Sequence, residues 1–113
     1  DRLADAGVEL HARSIFLQGL LLLEKHQVAP YFARWSSILD KWYAFLKRQN
    51  LSALDACINY VAGSPYVSNI VVGIQSRREL DDILRSLDAG VSRKYPSFAV
   101  SDIRLLEPRN WEI

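Results

Sequence analysis

The stretch Ser68–Leu87, SNIVVGIQSRRELDDILRSL, narrows the folds open to this chain more than any other. Asn69–Ile74 is a short apolar run rich in β-branched residues, the pattern of a strand buried on both faces of a parallel sheet. Ser76 followed three residues later by Glu79 is a capping box, which satisfies amide groups where a helix starts. Leu80, Ile83, Leu84 and Leu87 then fall on one helical stripe, predicted to face a core. A strand thus passes through a short turn into a helix whose amino end carries Arg77 and Arg78. Free N–H groups and partial positive charge at such an end can receive a phosphate.

The rest of the chain is read around this unit. Asp1–Ala6 predicts the end of a helix closed by Gly7. Val8–Ser14 alternates as a strand, with Val8, Leu10 and Ala12 on one face and Glu9, His11 and Arg13 on the other. A polar face on a central strand needs partners, water or a ligand. Glu9 and Arg13 cannot serve one another, because four strand residues separate them by roughly 13 Å. Ile15–Leu23 leaves the strand through a turn containing Gly19, and Gln27–Pro30 reads as loop because a residue before proline avoids helical geometry. Ser36 and Ser37 open a helix with a core stripe of Ile38, Leu39, Trp42, Phe45 and Leu46. Ser52 with Asp55 opens the next, whose stripe runs through Leu54, Cys57, Ile58 and Val61 until Gly63-Ser64-Pro65 stops it. After the helix that ends near Gly90, residues 91–113 are expected to form a largely irregular tail wrapped over other elements.

Strands alternating with helices imply parallel pairing through helical crossovers. Two strands with apolar faces do not make a stable sheet alone. Either copies of the chain assemble, or the rest of the sheet lies upstream in a longer polypeptide; the absence of an initiating methionine favours the latter. A formal charge of +1 over 113 residues argues against nucleic acid or an anionic membrane as the main partner. Phe16–Leu23 is broken by Gln18 and Gly19 and falls short of the roughly 20 residues that span a bilayer. A single cysteine excludes an intrachain disulfide, and with no secretory signal the expected setting is cytoplasmic.

Gly7–Leu22 (GVELHARSIFLQGLLL) and Ser68–Leu84 (SNIVVGIQSRRELDDIL) resemble the carboxyl-terminal third of the aldo/keto reductases, and the likeness takes in Pro108-Arg109-Asn110-Trp111. The resemblance implies an α/β fold: the last two strands and helices of a (β/α)8 TIM barrel, incomplete on its own. Residues 1–113 would then be a carboxyl-terminal fragment of one barrel domain. Strand seven would lie near 8–14, strand eight near 69–74, and the tail at 91–113. Barrel phosphate sites form from the loops after strands seven and eight.

By the same resemblance the chain belongs to an NADP(H)-dependent oxidoreductase acting on a small carbonyl substrate. Its partner would be the upstream half of the barrel or copies of itself. The nicotinamide would lie at Arg13, and the cofactor pyrophosphate along Ser14, Phe16, Gln18 and Gly19. The adenosine end would lie along Gly73, Ile74, Gln75, Ser76, Arg77 and Glu79. Arg13 stands where the family carries an aromatic residue against the nicotinamide, and Ile83 where it carries an asparagine against adenine. Nothing in the chain corresponds to the family's catalytic aspartate, tyrosine, lysine and histidine, so this polypeptide alone is expected to be inactive. A non-catalytic, self-associating partial barrel is the competing reading. Taken without the resemblance, Arg77 and Arg78 are solvated first-turn side chains; with it, at least one turns towards the adenosine 2′-phosphate. Glu9 and His11 read as structural polar residues, Cys57 as core. Trp111 either covers the substrate mouth or pins the tail.

Overall fold

The computed structural model describes residues 2–89 and 95–113. Gly90, and with it residues 91–94 of the expected tail, lies outside them. Helix α1 (Arg2–Asp5) closes as predicted. Gly7 takes φ +78°, its N–H donates to the Ala4 carbonyl, and the Val8 N–H donates to that of Leu3 at 3.0 Å. Strand β1 (His11–Ala12) follows, then 3₁₀ turns at Leu20–Leu22, Lys25–Gln27 and Pro30–Trp35. Helices α2 (Ser36–Gln49) and α3 (Ala53–Ala62) come next, then strand β2 (Asn69–Ile70) and helix α4 (Arg77–Ala89). A short helix α5 (Ile103–Leu106) and a 3₁₀ turn at Pro108–Asn110 close the chain.

The helix starts are set by the expected side chains. Ser52 Oγ accepts from the Asp55 N–H at 3.1 Å, and Ser76 Oγ from the Glu79 N–H at 3.2 Å. The return half of the box at α4 is displaced by one residue. Glu79 Oε2 accepts from the N–H of Gln75 at 2.7 Å, not from that of Ser76. At the end of α2, Asn50 adopts φ +49° and its N–H donates to Lys47, a left-handed stop that asparagine tolerates better than most residues.

The two strands pair in parallel, with His11 opposite Asn69 and Ala12 opposite Ile70. Both are far shorter than the spans expected near 8–14 and 69–74. The cause is local. Ser14 turns to φ +58° and ends β1, so the last main-chain bond of the ladder runs from the Val71 N–H to the Ala12 carbonyl at 2.8 Å. Without a neighbour, residues 72–74 stay out of the sheet. Burial on both faces is therefore corrected: Val71 is 53% exposed and Ile74 43%. The α4 stripe is corrected in the same way, for Ile83 is buried while Leu80, Leu84 and Leu87 are open to solvent.

The core lies among helices and aromatic rings, not on the sheet. One cluster holds Leu20, Phe32, Trp35, Leu39 and Leu105; another holds Trp42, Phe45, Ala56 and Cys57, with Phe16, Tyr95 and Phe98 against it. Residues Leu39, Trp42 and Phe45 recur at helical spacing, so α2 feeds both clusters from one face. The tail is more ordered than expected. Asp102 caps α5 by accepting from the Arg104 N–H, and it also accepts from Trp35 Nε1 at 3.3 Å. Arg104 holds the Asp102 carboxyl far below the usual carboxylate range. Trp111 meets Phe32 edge-on at 4.8 Å, and its Nε1 donates to the Leu105 carbonyl at 2.8 Å. Of the two roles open to Trp111, pinning the tail is the one its contacts serve.

Candidate functional site

Two loops far apart in sequence leave the ends of β1 and β2 and meet at one cleft of about 1010 Å³. Ligands of parallel α/β sheets collect outside the carboxyl ends of the strands, where these loops begin. From the first loop, Arg13, Ser14, Phe16, Gln18 and Gly19 line the cleft; from the second, Gly73, Ile74, Gln75 and Glu79. Ser76 and Arg77 do not line it. Ser76 is engaged in capping α4, and Arg77 is exposed on that helix's first turn.

The first loop has an unusual backbone. Ser14, Leu17 and Gln18 have φ of +58°, +50° and +55°, and Gly19 follows at +83°. Left-handed geometry costs an L-residue roughly 1–2 kcal/mol, so three such residues persist only where their surroundings hold them. The anchors are visible. The Leu17 N–H donates to the Ser14 carbonyl at 3.0 Å, and that of Leu21 to Phe16 at 3.2 Å. Leu20 is buried at 2% exposure, and Trp42 Nε1 donates to the Leu21 carbonyl at 3.2 Å. This geometry leaves the N–H groups of Phe16, Gln18 and Gly19 without a main-chain acceptor among the described residues. Those of Gln18 and Gly19 are successive, and two such amides in a left-handed turn form a concavity suited to an anion.

Opposite this loop the wall is bare backbone: a Cβ built at Gly73 would meet no protein atom within 4 Å. The charges are mixed. Arg13 contributes a cation, whereas Glu79 and Asp82 contribute carboxylates. Ser52, Leu54 and Asp82 also line the cleft, and the sequence reading did not place them there. Asp82 follows Glu79 by three residues on the same helix, and that spacing was the signal for it. Ser52 and Leu54 reach the cleft only through the packing of α3 against α4, which no local pattern announces. Buried Ser86 on α4 joins the two helices by donating to Asp55 on α3.

The polar face of β1 resolves differently. His11 Nε2 lies 2.6 Å from Glu9 Oε1, and Asn69 Nδ2 donates to the same oxygen at 2.9 Å. These side chains serve each other across the strand pair. Cys57 is core, its thiol pushed up to about 12 by burial and so held as the inert thiol at neutral pH. Among the described residues no group of histidine, cysteine and carboxylate side chains could hold a metal ion, and no helix is long and apolar enough to cross a membrane. No family model matches the chain, and neither does any curated protein or solved structure.

Proposed function

We propose that this chain forms the cofactor-holding edge of an NADP(H)-dependent oxidoreductase of the aldo/keto reductase kind, with its strands as the last two staves of a (β/α)8 barrel. The observation that carries this reading is the convergence of residues 13–19 and 73–79 on one cleft at the ends of two parallel strands. The residues fit a dinucleotide in three respects. Arg13, the Ser14 hydroxyl and the unpaired amides of the first loop offer donors to a pyrophosphate. Bare backbone at Gly73 allows close approach. Arg77 and the uncapped N–H groups at the start of α4, outside the cleft proper, offer a place for the 2′-phosphate, beside the Glu79 carboxylate that accepts from the Gln75 N–H.

Bound there, the nicotinamide would supply a hydride for a small carbonyl substrate, while this chain's residues orient the nucleotide. The other staves come from elsewhere, either upstream in the same polypeptide or from copies of this chain. Titration of the chain with NADPH and NADH, followed by reduced-nicotinamide fluorescence, tests the reading. Saturable binding is expected, and Gly73→Ala should weaken both nucleotides while leaving the thermal midpoint unchanged. Ser76→Ala combined with Arg77→Ala should weaken NADPH more than NADH, and Glu79→Gln should favour NADPH. Equal losses for both nucleotides would remove the 2′-phosphate assignment. Binding of neither would overturn the cofactor reading for this chain.

A further inference from the structure

Helix α4 carries a second feature that the cleft does not use. Leu80, Leu84 and Leu87 are 37%, 49% and 41% exposed, although their spacing puts them on one stripe. Beside the stripe, along one flank, run Arg78, Asp81, Arg85 and Asp88. All four are exposed. Among the described residues Arg78, Asp81 and Asp88 have no ion-pair partner, and Arg85 has only Asp82 of its own helix, at 3.3 Å.

The signs on that flank run plus, minus, plus, minus, and the pattern inverts about Ile83. Asp81 and Arg85 stand two residues either side of it, about 3 Å along the axis; Arg78 and Asp88 stand five residues away, about 7.5 Å. We infer that two copies of this chain associate through antiparallel packing of α4 on α4, with the two-fold axis passing at the level of Ile83. In an antiparallel pair related by a two-fold, each helix turns the same flank towards its partner's. Asp81 then faces Arg85 of the other copy, Arg78 faces Asp88, and each pair occurs twice. The leucines sit about 4.5 Å before, 1.5 Å after and 6 Å after the axis, so those of the two copies interleave. Parallel packing would set like charges level with one another.

This inference does not depend on what the cleft binds, and an α4 contact supplies no stave to the sheet. A single helix pair is small by interface standards, under about 1,200 Å², the size class of weak and transient contacts. Sedimentation equilibrium between about 1 and 500 μM should show a shift from 12.9 kDa towards twice that mass. Leu84→Asp, at an exposed position that leaves the fold intact by circular dichroism, should raise the dissociation constant at least about tenfold. Asp81→Arg and Arg85→Asp should each weaken the dimer by about three- to tenfold, since symmetry doubles every like-charge encounter. The double reversal should restore it to within about twofold. A monomer throughout that range, a dimer indifferent to Leu84→Asp, or a double reversal no better than the singles would each overturn the arrangement. NADPH titration of the Leu84→Asp chain, whose cleft residues are unchanged, reads the cleft in the absence of the dimer.

Discussion

Replacing Gln18 by glycine should stabilise this protein, whereas a new glycine within a protein usually does the reverse. Gln18 is exposed, makes no hydrogen bond among the described residues, and holds φ +55°. Relief of left-handed geometry is worth about 1–2 kcal/mol, and the extra freedom of glycine in the unfolded chain takes back about 0.5–1. The net gain is centred on about 0.75 kcal/mol, within a span of about 0–1.5. With an unfolding entropy near 2.1 cal/mol/K per residue, a chain of 113 residues gains roughly 4 °C per kcal/mol, so the midpoint should rise about 2–4 °C. Ala44→Gly is the control. Ala44 is exposed in the middle of α2, and the change should cost about 1 kcal/mol and lower the midpoint about 4 °C. Both are read by thermal unfolding followed by circular dichroism. If Gln18→Gly lowered the midpoint as Ala44→Gly does, the claim that this loop stores backbone strain would fail.

The buried Cys57 thiol, raised to about 12, should react with an aromatic disulfide reagent at about pH 8 only as fast as the protein opens; rapid stoichiometric labelling in buffer would show it exposed. Asp102 bears on acid stability. Its carboxyl titrates lower in the folded protein than in the unfolded chain, because Arg104 and the Trp35 N–H hold the charged form. Its contribution is therefore complete above the unfolded value, near 3.9, and is lost as pH falls through the lowered folded one. Below about pH 4 the midpoint of the parent should fall more steeply than that of Asp102→Asn, and parallel curves would exclude the pair from the acid response. Trp111→Phe keeps the ring against Phe32 but removes the bond to Leu105, and urea unfolding should register a loss of about 1 kcal/mol. No loss would mean the tail is held by ring packing alone.

The parts of the fold legible in the sequence were those whose cause is local. Ser52 and Ser76 mark helix starts because each hydroxyl bonds an amide three residues on, and Gly7 marks a stop because its φ is +78°. Where the deciding partner is remote, the pattern misleads. Gln27–Pro30 read as loop, and Ala29 is extended as a residue before proline should be, yet Gln27 ends one 3₁₀ turn and Pro30 opens another, since proline loses nothing at a first helical position. Helix α5 has four residues, too few to show any period. The left-handed geometry of Ser14, Leu17 and Gln18 had no composition signal beyond Gly19, because it is imposed by Leu20 and Phe16 reaching into different clusters.

The strands and the α4 stripe make a different case, and the same argument covers both. Asn69–Ile74 has the apolar content of a strand covered on both faces, and Leu80, Leu84 and Leu87 have the spacing of a buried seam. In this chain two residues of the first form a ladder, and the three leucines stay open. Sequence pattern specifies which surfaces are fit to be covered, and the chain's own contacts decide how many of them are covered from within. The residues at which those two diverge are Val71, Ile74, Leu80, Leu84 and Leu87. They lie on β2's continuation and on α4, the elements that flank the cleft's second loop. Ile74 lines the cleft, and Leu80 adjoins Glu79, which lines it too. Occupancy of the α4 face and affinity at the cleft should therefore be linked, and NADPH affinity measured above and below the dimer's dissociation constant reads that linkage directly.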